Sequence, residues 1–278
     1  MIVLKAVVFF NSNRLTSLDM ESIERTLRDY DIELIICSDR RSCSSETFDV
    51  VMTFGGDGTV LKAVPYALES SVPILSFKVG SVGFLSAFEL HQINEALTAF
   101  RNSGLTADKR RLLQINTGFG IEYALNDFVL ERSRPSRTIS LGVEIEGFSP
   151  YNIAGDGIII STPTGSTAYN LAAGGAIIDP ISEVYQVTPL SPHNPYVGSV
   201  VVSATRSTTV RILDDRGYSI DCYIDGSLCR EFRKGARINV SLSKKTITLL
   251  RPREFDFVGV MKKKLAFGGR LKDDIQKR

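Results

Sequence analysis

The sequence predicts two domains, an α/β domain built on a parallel sheet and a second domain that is mostly β. Three observations predict them. The chain has 278 residues, which is longer than the commonest single domain and long enough for two hydrophobic cores. Strand-like and helical segments alternate up to about residue 100, a pattern typical of βαβ units. From about Leu112 onward, short runs of alternating apolar and polar residues indicate antiparallel strands.

The first domain is predicted from the alternation of apolar runs with amphipathic segments. Runs rich in Val, Ile and Phe predict strands, and the segments between them carry apolar residues at helical spacing. Asp19 comes immediately before one predicted helix, and Pro65 lies inside another, where it should kink the helix or end its first segment. The predicted strands are 3–10, 32–36, 48–54 and 72–77, and the predicted helices are 20–30, 59–68 and 89–101.

The second domain is predicted from strand-like alternation that is broken by turn residues. Asp225-Gly226 is a dipeptide typical of a tight β-hairpin. One helical segment, 167–173, interrupts the strands and follows a run of Ser, Thr, Gly and Pro. A charged, polar joint at 108–111 predicts the domain boundary. The predicted strands are 140–146, 200–204, 208–213, 237–242 and 246–250.

Composition and charge favour a protein that binds small molecules. The 33 Lys and Arg residues nearly balance the 31 Asp and Glu residues, and a net charge of +2 is too small to indicate a nucleic-acid or membrane partner. No apolar stretch approaches the roughly 18 residues that span a bilayer. Cys37, Cys43, Cys222 and Cys229 fit no common zinc spacing. We therefore expect a soluble, cytoplasmic protein.

A glycine-rich loop, Gly55-Gly56-Asp57-Gly58-Thr59, follows the third predicted strand and precedes a helix. Backbone N–H groups in this setting bind phosphate, although the loop fits neither the dinucleotide fingerprint nor the P-loop. An ionised Asp57 would repel a phosphate oxygen by about 4 kcal/mol at 4 Å. We therefore expect Asp57 to face a metal ion or a hydroxyl group, as in phosphoryl transfer. The alternative is that Asp57 only caps the following helix.

Two polar segments of the second domain have the chemistry of a nucleotide site. Asn126-Asp127 interrupts an apolar strand, so that one of the two side chains faces a core or cleft unless a bulge intervenes. An Asn amide matches the donor and acceptor edge of adenine. The run 161–166 offers hydroxyl and N–H groups to a sugar and phosphates. An ordinary Ser/Thr turn is the alternative for this run.

Two further segments are explained without a ligand. A hairpin turn is sufficient to account for Asp225-Gly226. The lysine run Lys262-Lys263-Lys264 is most simply a solvated surface.

Taken in order, these segments resemble those of the NAD kinases. The run from Ser161 to Tyr169, preceded by Asp156-Gly157, is the most specific part of the resemblance, whereas the Gly55 to Thr59 loop is shared with diacylglycerol and sphingosine kinases. The resemblance covers nearly the whole chain. Its other segments are Gly80-Ser81-Val82-Gly83-Phe84-Leu85, Asn126-Asp127, Gly174-Gly175, Pro192-His193, Asp225-Gly226 and the closing run 251–265.

The resemblance implies an enzyme that phosphorylates the 2′-hydroxyl of the adenosine ribose of NAD. ATP or polyphosphate would be the donor, and Mg²⁺ or another divalent metal would be held mainly through the donor phosphates. The implied fold is a Rossmann-like domain at 1–108, a β-sandwich NAD-binding domain at 109–250, and a C-terminal segment at 251–278 that packs back on the first domain. Homodimers or homotetramers are implied as well.

The resemblance also implies a role for individual residues. Asp57 would be the catalytic group that engages the 2′-hydroxyl. The residues implied to bind the donor phosphates are Gly55, Gly56, Thr59, Lys62 and Lys78. The residues implied to bind NAD are Gly58, Phe84, Asn126, Asp127, Asp156, Thr164, Thr167, Ala168, Tyr169 and Asp225.

Three positions depart from the family's pattern and concern substrate contacts more than the reaction. Lys78 stands where many members have Asn, Ala172 stands where Ser is frequent, and a basic residue common near Gly198 is missing. Two other functions remain as alternatives. One is a lipid kinase of the diacylglycerol type, although the sequence lacks a basic amphipathic helix. The other is a non-catalytic NAD(P) sensor, although the intact glycine loop favours chemistry.

Overall fold

The structure, a computed structural model, describes residues 3–35, 46–80, 83–134, 137–194, 197–253 and 255–268. Several positions named above lie outside the described residues: Ile36, Cys37, Cys43, Ser81, Val82 and 269–278. Contacts divide the chain into two compact units. Unit 1 comprises Met1–Lys109 and Ile247–Arg278, and unit 2 comprises Arg110–Thr246.

Unit 1 is built on a parallel sheet with the strand order β2-β1-β3-β4. Every residue of β3 is buried, as expected for a central strand of a parallel sheet. The elements are β1 (Leu4–Phe10), α1 (Ser17–Asp29), β2 (Ile32–Ile35), β3 (Val50–Gly55), α2 (Asp57–Ser70), β4 (Ile74–Lys78), β5 (Phe88–Glu89), a 3₁₀ turn (Leu90–Gln92), α3 (Ile93–Arg101) and α5 (Phe257–Leu265).

Two predictions about the helices of unit 1 are wrong in detail. Helix α1 begins at Ser17 because Thr16 is its N-cap, and Asp19 completes a capping box from inside the first turn. Of the two predicted effects of Pro65, an end of the helical segment is wrong, because α2 continues through Pro65 to Ser70. A kink at Pro65 stays a prediction. The buried face of α2, which includes Val60, packs with the sheet and compensates for the hydrogen bond that proline cannot make.

Unit 2 consists mostly of antiparallel strands. Its elements are β7 (Ile121–Ala124), β8 (Asp127–Arg132), β9 (Ile139–Ile145), β10 (Tyr151–Gly155), β11 (Gly157–Ser161), a 3₁₀ turn (Gly165–Thr167), α4 (Tyr169–Ala172), β12 (Val184–Leu190), β13 (Val200–Ser203), β14 (Ser207–Asp214), β15 (Ile220–Ile224) and β16 (Ser227–Phe232). Two longer strands, β6 (Thr106–Asn116) and β17 (Arg237–Arg251), cross the boundary between the units.

Two layers of strands enclose the core of unit 2. One layer has the order β10-β9-β14-β17 and the other the order β13-β12-β11-β8-β15-β16. Alternate residues from both layers, such as Val143 and Val210 from the first and Leu130 and Ile160 from the second, form one buried cluster. This arrangement is a β-sandwich, in which each strand sends every second side chain inward.

The structure corrects two of the predictions about strands in unit 2 and adds strands that were not predicted, such as β10, β12, β15 and β16. Residues 237–242 and 246–250 belong to the single strand β17, because the polar residues between them stay in the extended ladder. The apolar run around Asn126-Asp127 is not one strand: β7 ends at Ala124 and β8 begins at Asp127. The predicted hairpin is confirmed, with both Asp225 and Gly226 at positive φ, as a two-residue type I′ turn requires.

The predicted fold class is confirmed. An α/β unit precedes a β-sandwich, and the last residues of β17 return to unit 1, where Leu249 and Leu250 pair in parallel with Ile74 and Leu75 of β4. In the part of the chain that the structure describes, no helix combines the length and the apolar character needed to cross a membrane.

The end of β17 supplies unit 1 with a buried arginine. Arg251 is 1% exposed, and its Nε donates to Asp108 Oδ2 at 3.2 Å. Its two terminal nitrogens donate to the carbonyl oxygens of Leu85 at 3.1 Å and Phe84 at 2.9 Å. The ring of Phe255 lies over the guanidinium at 4.2 Å. A planar group with five donors suits this site, where a lysine could not satisfy three separate acceptors in one plane.

We expect Arg251→Leu to lower the free energy of unfolding by about 3 to 5 kcal/mol, because the buried carbonyl oxygens of Phe84 and Leu85 would lose the donors of the guanidinium and the half-buried Asp108 would lose its ion pair with Arg251. Urea denaturation followed by circular dichroism measures this loss. Arg253→Leu, two residues further along and exposed, is the control and should change stability by no more than about 0.5 kcal/mol. Equal stability of the two variants would contradict the assigned role of Arg251.

Candidate active site

A cavity of about 450 Å³ lies at the carboxyl edge of the parallel sheet in unit 1. The chain leaves β1 toward β2 on one side and returns as β3 on the other, so the sheet has its topological switch point between β1 and β3. Open α/β sheets bind their ligands at this kind of point, beyond the carboxyl ends of the strands. The cavity is lined by residues 9–14, which comprise the end of β1 and the segment after it, by residues 56–59 after β3, and by Lys62, Gly83 and Lys264.

Asp57 is the carboxylate of this cavity, and three donors hold it. Its Oδ2 accepts the backbone N–H of Phe84 at 2.9 Å, and its Oδ1 accepts that of Leu85 at 3.0 Å. Lys264 Nζ lies 2.9 Å from Oδ2. Asp57 is the first residue of α2, the N-cap is Gly56, and no side chain caps the helix. The capping alternative for Asp57 is therefore wrong.

The charge of Asp57 is stabilised by these partners. Burial opposes its ionisation, but the hydrogen bond and charge of Lys264, together with the N–H groups of Phe84 and Leu85, hold the pKa of this carboxyl below its ordinary value. Asp57 is thus a carboxylate at neutral pH. The cation that pairs with this carboxylate is the ammonium group of Lys264.

The glycines around Asp57 fall into two kinds. A Cβ on Gly83 would lie 2.1 Å from Asp57 Oδ1, and a Cβ on Gly55 would lie 2.1 Å from Thr59 Oγ1, so the protein's own packing requires both glycines. A Cβ on Gly56 or Gly58 would meet nothing within 4 Å, and neither has positive φ. Because these two line the cavity, the space beside them is open to a ligand.

The cavity carries an excess of positive charge. Its charged lining residues are Arg14, Lys62 and Lys264 against Asp57 alone. Arg14 is fixed by a hydrogen bond from its guanidinium to the carbonyl oxygen of Val79 at 3.1 Å. This balance favours a ligand with several negative charges, such as a chain of phosphates.

Some of the predicted donor-site residues line the cavity and others do not. Gly56, Thr59 and Lys62 line it. Gly55 instead packs at the end of β3, and the ammonium of Lys78 pairs with Glu89 Oε1 at 3.0 Å. The predicted roles of Gly55 and Lys78 in phosphate binding stay predictions.

Lys264 corrects the prediction that the lysine run is only a solvated surface. All three lysines are exposed, but the ammonium of Lys264 pairs with Asp57 and lies 4.7 Å from the centre of the Phe84 ring. Phe84 is almost fully buried and packs against Phe257 at the start of α5. No pattern within the run distinguishes Lys264 from its neighbours, so the sequence could not identify it.

Unit 2 has its own cluster of predicted residues, organised by Asp225. The Asp225 carboxylate accepts the backbone N–H groups of Leu125 at 2.8 Å, Asn126 at 2.7 Å and Asp127 at 3.2 Å. Its own N–H donates to the carbonyl oxygen of Asp127 at 3.0 Å. The aspartate of the hairpin therefore fixes the backbone on which Asn126 and Asp127 stand. The predicted contact of Asp225 with NAD stays a prediction.

The Ser/Thr-rich run 161–166 is hydrogen-bonded to the same backbone segment, residues 125–127. Thr162 Oγ1 donates to the carbonyl oxygen of Leu125 and accepts the N–H of Gly165 at 3.0 Å. A Cβ on Gly165 would lie 2.1 Å from the carbonyl oxygen of Asn126, so only glycine permits this approach. Thr164 is buried, and its hydroxyl oxygen accepts from Arg110 at 3.3 Å.

Burial perturbs both carboxyl groups of this cluster. Burial and the nearby Asp225 raise the pKa of Asp127 to about 7. Burial also raises the pKa of Asp225 to about 6, although the three backbone N–H groups oppose the rise. Two carboxyl groups so close together share protons near neutral pH. Such groups are typical of functional sites.

The remaining predicted residues of unit 2 lie between β10 and β11 and in the segment from the 3₁₀ turn to α4. Asp156 pairs with Arg132 at 3.0 Å. Tyr169 is 46% exposed at the start of α4, where burial and the acidic Glu131, Asp156 and Asp127 raise the pKa of its hydroxyl. Thr167 and Ala168 are half-buried in the preceding turn. Sequence reasoning missed Asn170, which is fully buried and bonded to Gln186 and Thr188.

Comparison with family models gives two matches on this chain. The model described as the ATP-NAD kinase N-terminal domain matches residues 13–105. The model described as the ATP-NAD kinase C-terminal domain matches residues 125–251. Together the two models cover well over half of the chain and include Asp57, Asp127 and Asp225, whereas Lys264 lies outside both matched ranges.

Curated relatives agree with the family models. The chain is 38% identical to an NAD kinase of Thermotoga maritima over 225 residues, which cover 81% of this chain and 84% of that protein. It is 33% identical to an NAD kinase of Petrotoga mobilis over 273 residues, which cover 96% of this chain and all of that protein.

Two solved structures share the fold. Yeast NADH kinase, complexed with NADH, matches with a TM-score of 0.83 at 20% identity, over 96% of this chain and 89% of the other. An NAD kinase from Archaeoglobus fulgidus, in complex with ATP, matches with a TM-score of 0.78 at 21% identity, over 95% and 100%. At this identity the likeness establishes the fold.

We expect Asp127→Asn to stabilise the protein at pH 8 but to have little effect near pH 4. The unfolded chain loses the proton of residue 127 near the ordinary pKa of 3.8, whereas the folded protein keeps it up to about pH 7. The cost of ionisation is therefore absent below pH 3.8, grows as the pH rises toward 7 and remains above it, reaching roughly 2 to 4 kcal/mol.

Urea midpoints of wild type and variant at several pH values check this prediction. Glu21→Gln, which neutralises an exposed carboxylate on α1, is the control and should show no comparable change with pH. A difference between Asp127→Asn and wild type that does not vary between pH 4 and pH 8 would contradict the buried carboxyl pair.

Proposed function

The chain belongs to the NAD kinase family, whose activity is the phosphorylation of NAD to NADP, and on this premise we propose how its residues divide the work. The acceptor is the 2′-hydroxyl of the adenosine ribose, and the group that engages it is Asp57. The observation that carries this proposal is the cavity at the switch point, where one ionised aspartate stands among three cations. A chain of phosphates pairs with the three cations, and a hydroxyl nucleophile donates a hydrogen bond to the aspartate.

Asp57 orients the hydroxyl and then takes its proton. A carboxylate of lowered pKa is a weak base, so proton transfer follows once the bond to phosphorus is forming and the hydroxyl has become acidic. The 2′-oxygen bonds to the terminal phosphorus, the bond from that phosphorus to the bridging oxygen breaks, and the electron pair leaves with ADP. A loose transition state of this kind depends mostly on positioning and on stabilisation of charge.

The donor is ATP, bound with its phosphates in the cavity of unit 1. The cations of Lys62 and Arg14 and the open space beside Gly56 support this assignment. The name of the matching family model and the ATP complex of the Archaeoglobus fulgidus enzyme agree with it. Polyphosphate offers the same chemical groups and is the second donor to test.

A divalent metal fits this cavity only as a partner of the donor. Among the described residues, no group of three or more His, Cys, Asp or Glu side chains comes together, and Asp57 is the single carboxylate of the lining. Mg²⁺ commonly combines one or two carboxylates with substrate phosphates. When bound, it neutralises charge on the donor phosphates.

The NAD-binding residues of unit 2 form the acceptor site of the proposal. Asn126 and Asp127 hold the adenosine, Asp156 lies toward the nicotinamide end, and Thr164 and Tyr169 contact the rest of the dinucleotide. The fixed backbone at 125–127 and the perturbed carboxyl groups support this assignment. We also propose a homodimer or homotetramer as the working form.

One assay tests the proposal directly. Purified protein is mixed with NAD, Mg²⁺ and either ATP or polyphosphate, and NADP is detected with an NADP-specific dehydrogenase. An NAD analogue that lacks the 2′-hydroxyl is the control and must give no ADP. Diacylglycerol is offered in parallel as acceptor, and phosphorylation of the lipid with no NADP would overturn the proposal.

We expect Asp57→Asn to lower kcat by roughly 10²- to 10⁴-fold while NAD binding is retained. An amide cannot accept the proton, but it keeps the size of the side chain and one oxygen acceptor. Steady-state kinetics give the rate, and calorimetry gives the affinity for NAD. Turnover within a few-fold of wild type would reject the role of Asp57.

We expect Gly56→Ala and Gly58→Ala to separate the two substrates. Neither Cβ meets a protein atom within 4 Å, so both variants should fold with stability within about 1 kcal/mol of wild type. A methyl group beside the ligand displaces it, so Gly56→Ala should raise KM for ATP and Gly58→Ala should raise KM for NAD, each about tenfold or more. Unchanged values of both constants would show that this space is not used.

A further inference from the structure

Lys264 contacts Asp57 and also lines the cavity. Its Nζ lies 2.9 Å from Asp57 Oδ2 and 4.7 Å from the centre of the Phe84 ring. An ion pair on one side and an aromatic face on another fix the position of an ammonium group. Lys264 also lines the cavity, so its other N–H groups can reach a bound anion.

The hydrogen bonds of Asp57 are distributed unequally over its two oxygens. An ionised carboxylate has about four acceptor positions, two on each oxygen. Oδ2 uses both of its positions, for the N–H of Phe84 and for Lys264. Among the described residues, Oδ1 uses one position, for the N–H of Leu85. Within these described contacts, one position on Oδ1 remains for a hydroxyl donor.

We propose that Lys264 is a positioning residue for phosphoryl transfer, which holds Asp57 ionised and reserves its Oδ1 for the hydroxyl of the acceptor. The proposal rests on the proposed role of Asp57 and adds a residue of helix α5 to the reaction.

The chemistry of the cavity explains why a lysine is needed at this point. Burial beside Phe84 opposes the charge of Asp57, and two backbone N–H groups offset only part of that cost. The other cations of the lining, Arg14 and Lys62, stand on the segment after β1 and on α2, and neither is bonded to Asp57 in the described contacts. Lys264 is the cation within bonding distance of this carboxylate.

Without Lys264, two changes follow for Asp57. Its pKa rises, because burial is then opposed by the two amides alone. A second acceptor position becomes free on Oδ2, so the acceptor hydroxyl has two competing places to bind. The first change alters the pH dependence of the reaction, and the second lowers kcat more than it raises KM for NAD.

The experiment compares Lys264→Met, Lys264→Arg and the control Lys262→Met, which removes the same charge from an exposed position on the same helix. The acid limb of the pH profile of kcat/KM should move up by about 1 to 3 pH units in Lys264→Met. Its kcat at pH 7 should fall about 10- to 100-fold. Lys264→Arg should restore most of kcat and return the acid limb most of the way to its wild-type position. Lys262→Met should match wild type in both quantities.

A second measurement does not depend on activity. Carbon-13 labelling of the aspartate carboxyl groups, with Asp57→Asn used to identify the signal, gives the titration of Asp57 by NMR. Its midpoint should move up in Lys264→Met and stay in place in Lys262→Met.

Several results would overturn the inference. One is a Lys264→Met enzyme that keeps the acid limb and kcat within twofold of wild type. Another is a loss of kcat with an unmoved acid limb and an unmoved Asp57 signal, which would show a merely structural role. If instead wild type makes no NADP, the proposed function fails, whereas the NMR titration still decides whether Lys264 controls Asp57.

Discussion

The candidate active site depends on how one short segment, Phe84-Leu85, is held from two sides. Asp57 accepts both backbone N–H groups of this segment, and Arg251 donates to both of its carbonyl oxygens. Three successive peptide groups, from 83–84 to 85–86, are thereby held by hydrogen bonds. A Cβ on Gly83 would lie 2.1 Å from Asp57 Oδ1, so glycine is required beside the carboxylate. The position of the Asp57 carboxylate therefore depends on hydrogen bonds to backbone N–H groups of a segment that is itself held by Arg251.

Charge is arranged differently in the two units. In unit 1, the charge of Asp57 is compensated by Lys264, and the carboxyl group remains ionised. In unit 2, Asp127 is buried and Asp225 is half-buried, and both hold protons closer to neutral pH than ordinary carboxyl groups. The buried carboxyl group of Asp127 costs stability once it ionises, as groups of functional sites commonly do. Asp225 differs, because its carboxylate accepts three backbone N–H groups that an apolar side chain would leave without an acceptor.

Sequence reasoning predicted the fold class and the positions of the chemical groups, but not the contacts between them. The switch from helical to strand periodicity gave the order of elements because each pattern follows from local burial. The glycine loop identified Asp57, and the Asp-Gly pair identified the hairpin at Asp225. The partners Lys264 and Arg251 were missed, because a lysine in a basic run and an arginine at a strand end have no local signal. The roles of these two residues follow from tertiary contacts with residues that are far away in the sequence.

The division of unit 1 between both ends of the chain has a consequence for biosynthesis. Lys264 follows Asp57 by 207 residues, and Arg251 follows Leu85 by 166. A ribosome therefore releases the glycine loop long before the groups that fix it, while Arg110–Thr246 emerges as one uninterrupted stretch that can collapse first. A nascent chain cannot complete the lining of the Asp57 cavity until helix α5 has left the exit tunnel. Premature termination upstream of α5 yields a polypeptide that lacks the ion pair between Lys264 and Asp57.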